Sequence, residues 1–221
     1  MKNLIKKYGH IWTLSYAFIY LPWFIYLEKT VTRNYNLMHI PLDDYIPFSE
    51  YFIIPYFLWF VYVIAAFIYF FFTNKQDYYK LCIFLFTGMT ISLIVCTLYP
   101  NGTALRPTVD PGKNIFTKMV YYLYQTDTCA NVFPSIHVFN SIGVHFAVRN
   151  SETLKKYMTV QFGSGLLMVA ICLSTVYLKQ HSCIDGFASI LMAAILYPFI
   201  YNSAYAATYG KRKFARRISN L

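Results

Sequence analysis

A series of apolar runs, near residues 11–27, 51–73, 81–99, 136–148, 159–178 and 183–205, limits what this chain can become more than any other feature. A helix rises 1.5 Å per residue and a hydrocarbon core is ~30 Å thick, so about 20 apolar residues suffice to cross it. Every run except the fourth is long enough for such a helix; the fourth is short and carries polar residues. Of the 221 residues, 57% are hydrophobic and 13% charged, against about 25% charged in a soluble domain. The bilayer is therefore the expected solvent. The expected fold is all-α: an integral membrane bundle of six transmembrane helices forming one domain over residues 1–221, with no internal repeat, low-complexity tract or linker.

The basic residues give this bundle an orientation. If all six runs span, one side holds Lys2, Lys6, Lys7, Lys75, Lys80, Arg149, Lys155, Lys156, Lys211, Arg212, Lys213, Arg216 and Arg217. The other holds Lys29, Arg33, Arg106, Lys113, Lys118 and Lys179. Cytoplasmic loops collect Lys and Arg, so both termini are expected in the cytoplasm of a cell-membrane protein. Segments 28–50 and 100–135, where Pro and Gly gather, then face outward and are expected to break helices and build irregular backbone. The first run has no A-x-A-like site after it and reads as an uncleaved anchor. The net charge of +10 is topological on this reading, and no interleaved basic and aromatic surface marks a nucleic-acid partner. The cluster Lys211–Arg217 fits a stop-transfer flank or a site for anionic headgroups.

Ionisable groups near membrane depth are expensive and mark functional candidates. One cluster is Tyr99-Pro-Asn-Gly-Thr-Ala-Leu-Arg106-Pro107, whose Arg offers a planar fork of donors suited to phosphate oxygens. A second is Asn131-Val-Phe-Pro134-Ser135-Ile136-His137, with Ser135 at or near a helix N-cap where an anion can sit. Farther along that run, His145 reads as an interhelical hydrogen-bond partner. The third is Lys179-Gln-His181-Ser-Cys-Ile-Asp185. Its His and Asp, spaced i and i+4 on a helix, let the carboxylate bind one imidazole nitrogen and leave the other as nucleophile or base. Of the five cysteines, Cys82, Cys96 and Cys172 read as buried small hydrophobes. Cys129 and Cys183 share the outer side, which permits a bridge without establishing one.

Taken together, Arg-Pro, Pro-Ser-x-His and His-x-x-x-Asp, in that order and each at the outer end of a run, resemble the phosphatidic acid phosphatase type 2 superfamily over about residues 99–185. That family's motifs are K-x6-R-P, P-S-x-H and S-R-x5-H-x3-D on an integral helical bundle. The resemblance implies His181 as nucleophile toward phosphorus, Asp185 as its orienting partner and His137 as the acid that protonates the leaving oxygen. It implies Arg106 and Ser135 as phosphate ligands, with no cofactor and no metal. Two family cations are replaced, by Tyr99 and Thr175. Lys179 stands close enough in sequence to substitute in part as a point charge, and the variant is similar to the branch containing inositol phosphorylceramide synthases.

The expected activity is a membrane lipid phosphatase that hydrolyses a lipid phosphomonoester or pyrophosphate through a phosphohistidine. The alternative is a phosphotransferase moving a phosphoryl headgroup to a lipid or sugar hydroxyl. Both take a lipid phosphate as substrate and differ only in the second acceptor. A non-enzymatic lipid carrier, and a metal site on His137, His181 and Asp185, are the remaining readings. The first step needs His181 unprotonated and His137 protonated, although both have unperturbed values of about 6.5. That predicts a narrow, bell-shaped pH profile.

Overall fold

The computed structural model describes residues 8–202; the cluster Lys211–Arg217 lies outside the described residues. The protein is mostly helical. A 3-10 stretch, Gly9–Tyr16, runs directly into α1 (Ala17–Thr30). After β1 (Asn36–Leu37) and the single turn α2 (Leu42–Tyr45) come α3 (Ile53–Thr73) and α4 (Lys75–Leu98). Then follow β2 (Asn101–Gly102), α5 (Ile115–Thr126), α6 (Ile136–Asn150), α7 (Met158–Tyr177) and α8 (Cys183–Tyr201).

Four helices are long and apolar enough to cross a membrane: Glu50–Thr73, Lys75–Leu98, Met158–Tyr177 and Cys183–Tyr201. Only 17% of the apolar window of the first is buried within the protein, and 22% of those of the third and fourth. Phe57, Phe60, Val61, Ile64 and Ile68 of α3 therefore present an apolar face outward. A helix apolar on its outer face belongs in lipid.

The helical stretches run alternately between two poles. At one pole Glu28 of α1 accepts from Thr128 Oγ1 (2.6 Å) and Asn131 Nδ2 (2.8 Å), β1 pairs in parallel with β2, and Ser49 N donates to Tyr177 O (3.0 Å). At the opposite pole Tyr69 and Thr153 hydroxyls meet at 3.1 Å and Tyr197 donates to Asn150 Oδ1 at 3.2 Å. Both long connections and the α7–α8 turn thus gather at the first pole. Only Asn74 separates α3 from α4; its side chain caps α4 by accepting from Gln76 N and Asp77 N.

The short, polar fourth run is the central helix. α6 is buried along most of its length and packs against α3, α4, α7 and α8. Its stripe of Ser141 and His145 therefore faces protein, and His145 Nδ1 meets Ser164 Oγ at 3.1 Å across to α7, the expected interhelical bond. Close approach of α4 to α6 depends on Gly88: a Cβ there would lie 2.0 Å from Phe139 Cε1, and Phe139 is itself stacked on Phe84 and fully buried. Gly88→Ala is expected to destabilise the protein by about 1–3 kcal/mol through overpacking, read as a lowered melting temperature in detergent. Gly163→Ala is the control, because its Cβ meets nothing within 4 Å.

The segment 100–135, expected as irregular backbone, contains α5. A capping box between Asn114 and Thr117 starts it. Its buried side, with Val120 and the partly buried Phe116, Met119, Leu123 and Tyr124, packs on Ile53, Tyr56 and Leu178. The apolar spacing of these five residues at helical period was the available signal. Cys82 and Cys96 are buried and Cys172 partly so. No bridge joins Cys129 to Cys183, which are both free. Cys183 N is held by Asp43 (2.7 Å), whereas Cys129 O is held by Thr103 N (2.8 Å) beside β2.

Candidate active site

The turn that carries His181 is built by the end of α7. Lys179, in a left-handed conformation (φ 53°), donates its N–H to Val176 O, and Gln180 N donates to Thr175 O at 3.0 Å. This is the Schellman arrangement, in which a left-handed residue lets the chain turn back on the last carbonyls. α8 then starts at Cys183 with Ser182 as N-cap and a reciprocal capping box to Asp185. His181 consequently lies just before the helix. It still reaches Asp185, because the box carries that carboxylate back over the N-terminus.

Asp185 Oδ2 accepts from Ser182 N at 3.0 Å and lies 3.3 Å from His181 Nδ1. His181 Nδ1 is also 3.0 Å from Val132 O. Both partners are acceptors, so Nδ1 must carry the proton, and the neutral ring then keeps its lone pair on Nε2. His137, at the second position of α6, faces this ring with centroids 5.6 Å apart and the ring planes at 64°. It is walled by Tyr56 (4.7 Å) and Trp59 (4.4 Å) from α3. Ser135 caps α6 through Val138 N at 3.4 Å, donates its own N–H to Asp185 O, and accepts from Ser189 Oγ through its carbonyl.

Arg106 is brought to the same turn with most of its fork already engaged. Nη1 donates to Asp127 O (2.8 Å) and Tyr124 O (3.4 Å), and Nη2 to Thr128 O (2.7 Å) and Gln180 Oε1. The guanidinium also covers the Tyr124 ring at 4.8 Å, and the Asp127 carboxylate stands 3.5 Å from Nη2. Burial pushes the Asp127 carboxyl above its usual range, against the pull of Arg106. Lys179 directs its ammonium to Asp43 O at 2.7 Å, so it anchors the turn to the first long connection. Of the two positions that the resemblance aligns with cations, Tyr99 is exposed just after α4 and Thr175 is buried, donating to Cys172 O within its own helix.

The three motif clusters therefore converge, although they are far apart in sequence. Two positions that sequence reasoning did not single out hold them there. Asp43 accepts from Cys183 N (2.7 Å), Ile40 N (2.9 Å) and Ser182 Oγ, a second brace on the start of α8. Nothing along the chain distinguishes Asp43 from its exposed neighbour Asp44; only the fold buries the first and not the second. Gln180, only 2% exposed, joins Arg106 to the His181 turn. Around these groups Trp59 Nε1, Arg106 Nε, His137 Nδ1, Gln180 Nε2 and Asp185 Oδ1 are buried without hydrogen-bond partners among the described residues. Also among the described residues, no group of three or more His, Cys, Asp and Glu side chains stands ready to hold a metal ion.

Burial raises the Asp43 carboxyl, but the bonds from Cys183, Ser182 and Ile40 outweigh it and hold the group below its usual range. A carboxyl depressed in the folded state contributes stability that is present above its unfolded value of about 3.9. That contribution is lost as pH falls through the folded value. Asp43→Ala is expected to cost about 2–3 kcal/mol at neutral pH, with the gap to the parent protein closing below pH ~4. Thermal unfolding in detergent across pH 3–7 measures it.

No protein-family model, curated protein or solved structure matches the chain.

Proposed function

We propose that the protein is an integral membrane enzyme that transfers the phosphoryl group of a lipid phosphate through a phosphohistidine, a member by resemblance of the phosphatidic acid phosphatase type 2 superfamily. The observation that carries this reading is the locked His181 ring: Nδ1 is held between Asp185 and Val132 O, Nε2 is left with the lone pair, and His137 stands opposite. His181 Nε2 attacks phosphorus, the bond from phosphorus to the leaving oxygen breaks, and His137 gives that oxygen its proton. Neutral His137 then takes a proton from the second acceptor as that acceptor attacks the phosphohistidine. Water as acceptor makes the protein a lipid phosphatase acting on a phosphomonoester or pyrophosphate. An alcohol makes it a phosphotransferase. On the donor side, with Lys179 on Asp43 O and Arg106 largely engaged, little positive charge remains for a dianionic phosphomonoester, which favours a phosphodiester or pyrophosphate donor under either acceptor.

The bundle has six spans in this reading. The Gly9–Thr30 stretch and α6 join the four long helices, since both run between the same poles. Both termini lie in the cytoplasm, and the pole with the candidate site faces outward, as the distribution of Lys and Arg requires. The test is incubation of the purified protein with a membrane lipid extract in detergent and EDTA, followed by mass spectrometry. Free phosphate with a dephosphorylated lipid is the phosphatase outcome, and a new phospholipid is the transferase outcome. An unchanged lipid profile rejects the enzyme.

A further inference from the structure

Arg106 and Gln180 are joined in a way that leaves donors over. Arginine has donors only, so the Gln180 atom that meets Nη2 must be the carbonyl oxygen, and the amide cannot be flipped. Gln180 Nε2 is thereby fixed as the other limb, buried without an acceptor among the described residues, as is Arg106 Nε. Gln180 is 2% exposed, and a buried N–H with no acceptor costs free energy that a ligand recovers. These orphaned groups sit on linked side chains, and one of them belongs to the residue immediately before His181. They are all donors, so their complement is an oxygen rich in lone pairs.

The charge nearby is small. Lys179 is engaged with Asp43 O, and Tyr99 and Thr175 stand where the family carries cations. One guanidinium, itself 3.5 Å from the Asp127 carboxylate, and one neutral amide remain, so the positive charge on offer is one unit at most. One cation balances one negative charge; a dianion keeps an unbalanced charge in a poorly solvated site. We propose that the Gln180 side-chain amide, oriented by Arg106, donates to a non-bridging phosphoryl oxygen and selects a singly charged phosphodiester headgroup lipid over a dianionic phosphomonoester. This rests on the phosphoryl-transfer reading above and names its substrate class.

The experiment compares full-length wild type with Gln180→Glu and Gln180→Met, in detergent at pH 8 with EDTA. Short-chain phosphatidylglycerol is the phosphodiester probe and short-chain phosphatidic acid the monoester probe. Glutamate keeps an oxygen for Arg106 but removes both N–H donors; methionine removes them without adding charge. The expected result is a wild type that prefers the phosphodiester. Both variants should lose about 10- to 100-fold in kcat/KM for it, the worth of a hydrogen bond to a charged group, mainly through KM. Gln180→Glu should keep its melting temperature. Wild-type turnover in Gln180→Glu, or preference for phosphatidic acid, overturns the inference while His181-dependent turnover leaves the broader reading standing. Absence of turnover on every lipid, including the membrane extract, overturns both.

Discussion

His181→Ala is expected to lower turnover of the lipid phosphate by about 10³-fold or more, because removal of the proposed covalent nucleophile leaves only binding and electrostatic stabilisation. The same change removes the Nδ1 contacts to Val132 O and Asp185 Oδ2, each worth about 1 kcal/mol, and leaves the capping box on Ser182 N in place, so the protein should remain folded and extractable. Two measurements check this: lipid consumption by mass spectrometry in EDTA, and recovery of an acid-labile, base-stable phosphoenzyme from the parent protein but not from the variant. Turnover within a few-fold of the parent overturns the phosphohistidine mechanism, whatever the products are.

Asp185 separates chemistry from architecture. Asp185→Ala is expected to lose activity and also about 1–2 kcal/mol of stability, because the carboxylate both orients His181 and closes the capping box on Ser182 N. Asp185→Asn keeps an oxygen for Ser182 N and should retain most of the stability. Its amide can also donate to the imidazole and favour the wrong tautomer, so activity should still fall by about 10²- to 10⁴-fold. Paired measurement of melting temperature and turnover decides it. Equal losses of stability in the two variants, with full activity in Asp185→Asn, would reduce this residue to a helix cap.

Much of the molecule was legible along the chain because the relevant physics is local. Helix-length apolar runs announced the four membrane-capable helices. Ser135 ahead of a helical pattern announced a cap that the structure contains. The spacing of His181 and Asp185 announced their contact, although the route is a capping box and not a shared helix face. The Pro and Gly residues around α5 point to irregular backbone, whereas Phe116, Met119, Val120, Leu123 and Tyr124 within it keep the apolar period of a helix.

The placement of α6 is a different case. Its shortness and its polar stripe made it look like the weakest span, and it is the one the others surround. Composition records how polar a helix is but not whether lipid or protein covers it. Gly88 and Phe139 decide that cover by steric fit across 51 residues of chain.

The helical class, the helices long and apolar enough to cross a membrane and the side chains that the proposed phosphoryl transfer would use can all be read along the chain, since hydrophobic length, periodicity and capping act between near neighbours. How the cations are used depends on long-range contacts. Lys179 is spent on Asp43 O, 136 residues away, and Arg106 on the carbonyls around Asp127 and on Gln180. A charged side chain takes whichever acceptors the fold brings within about 3 Å, and no spacing along the chain reveals which those are.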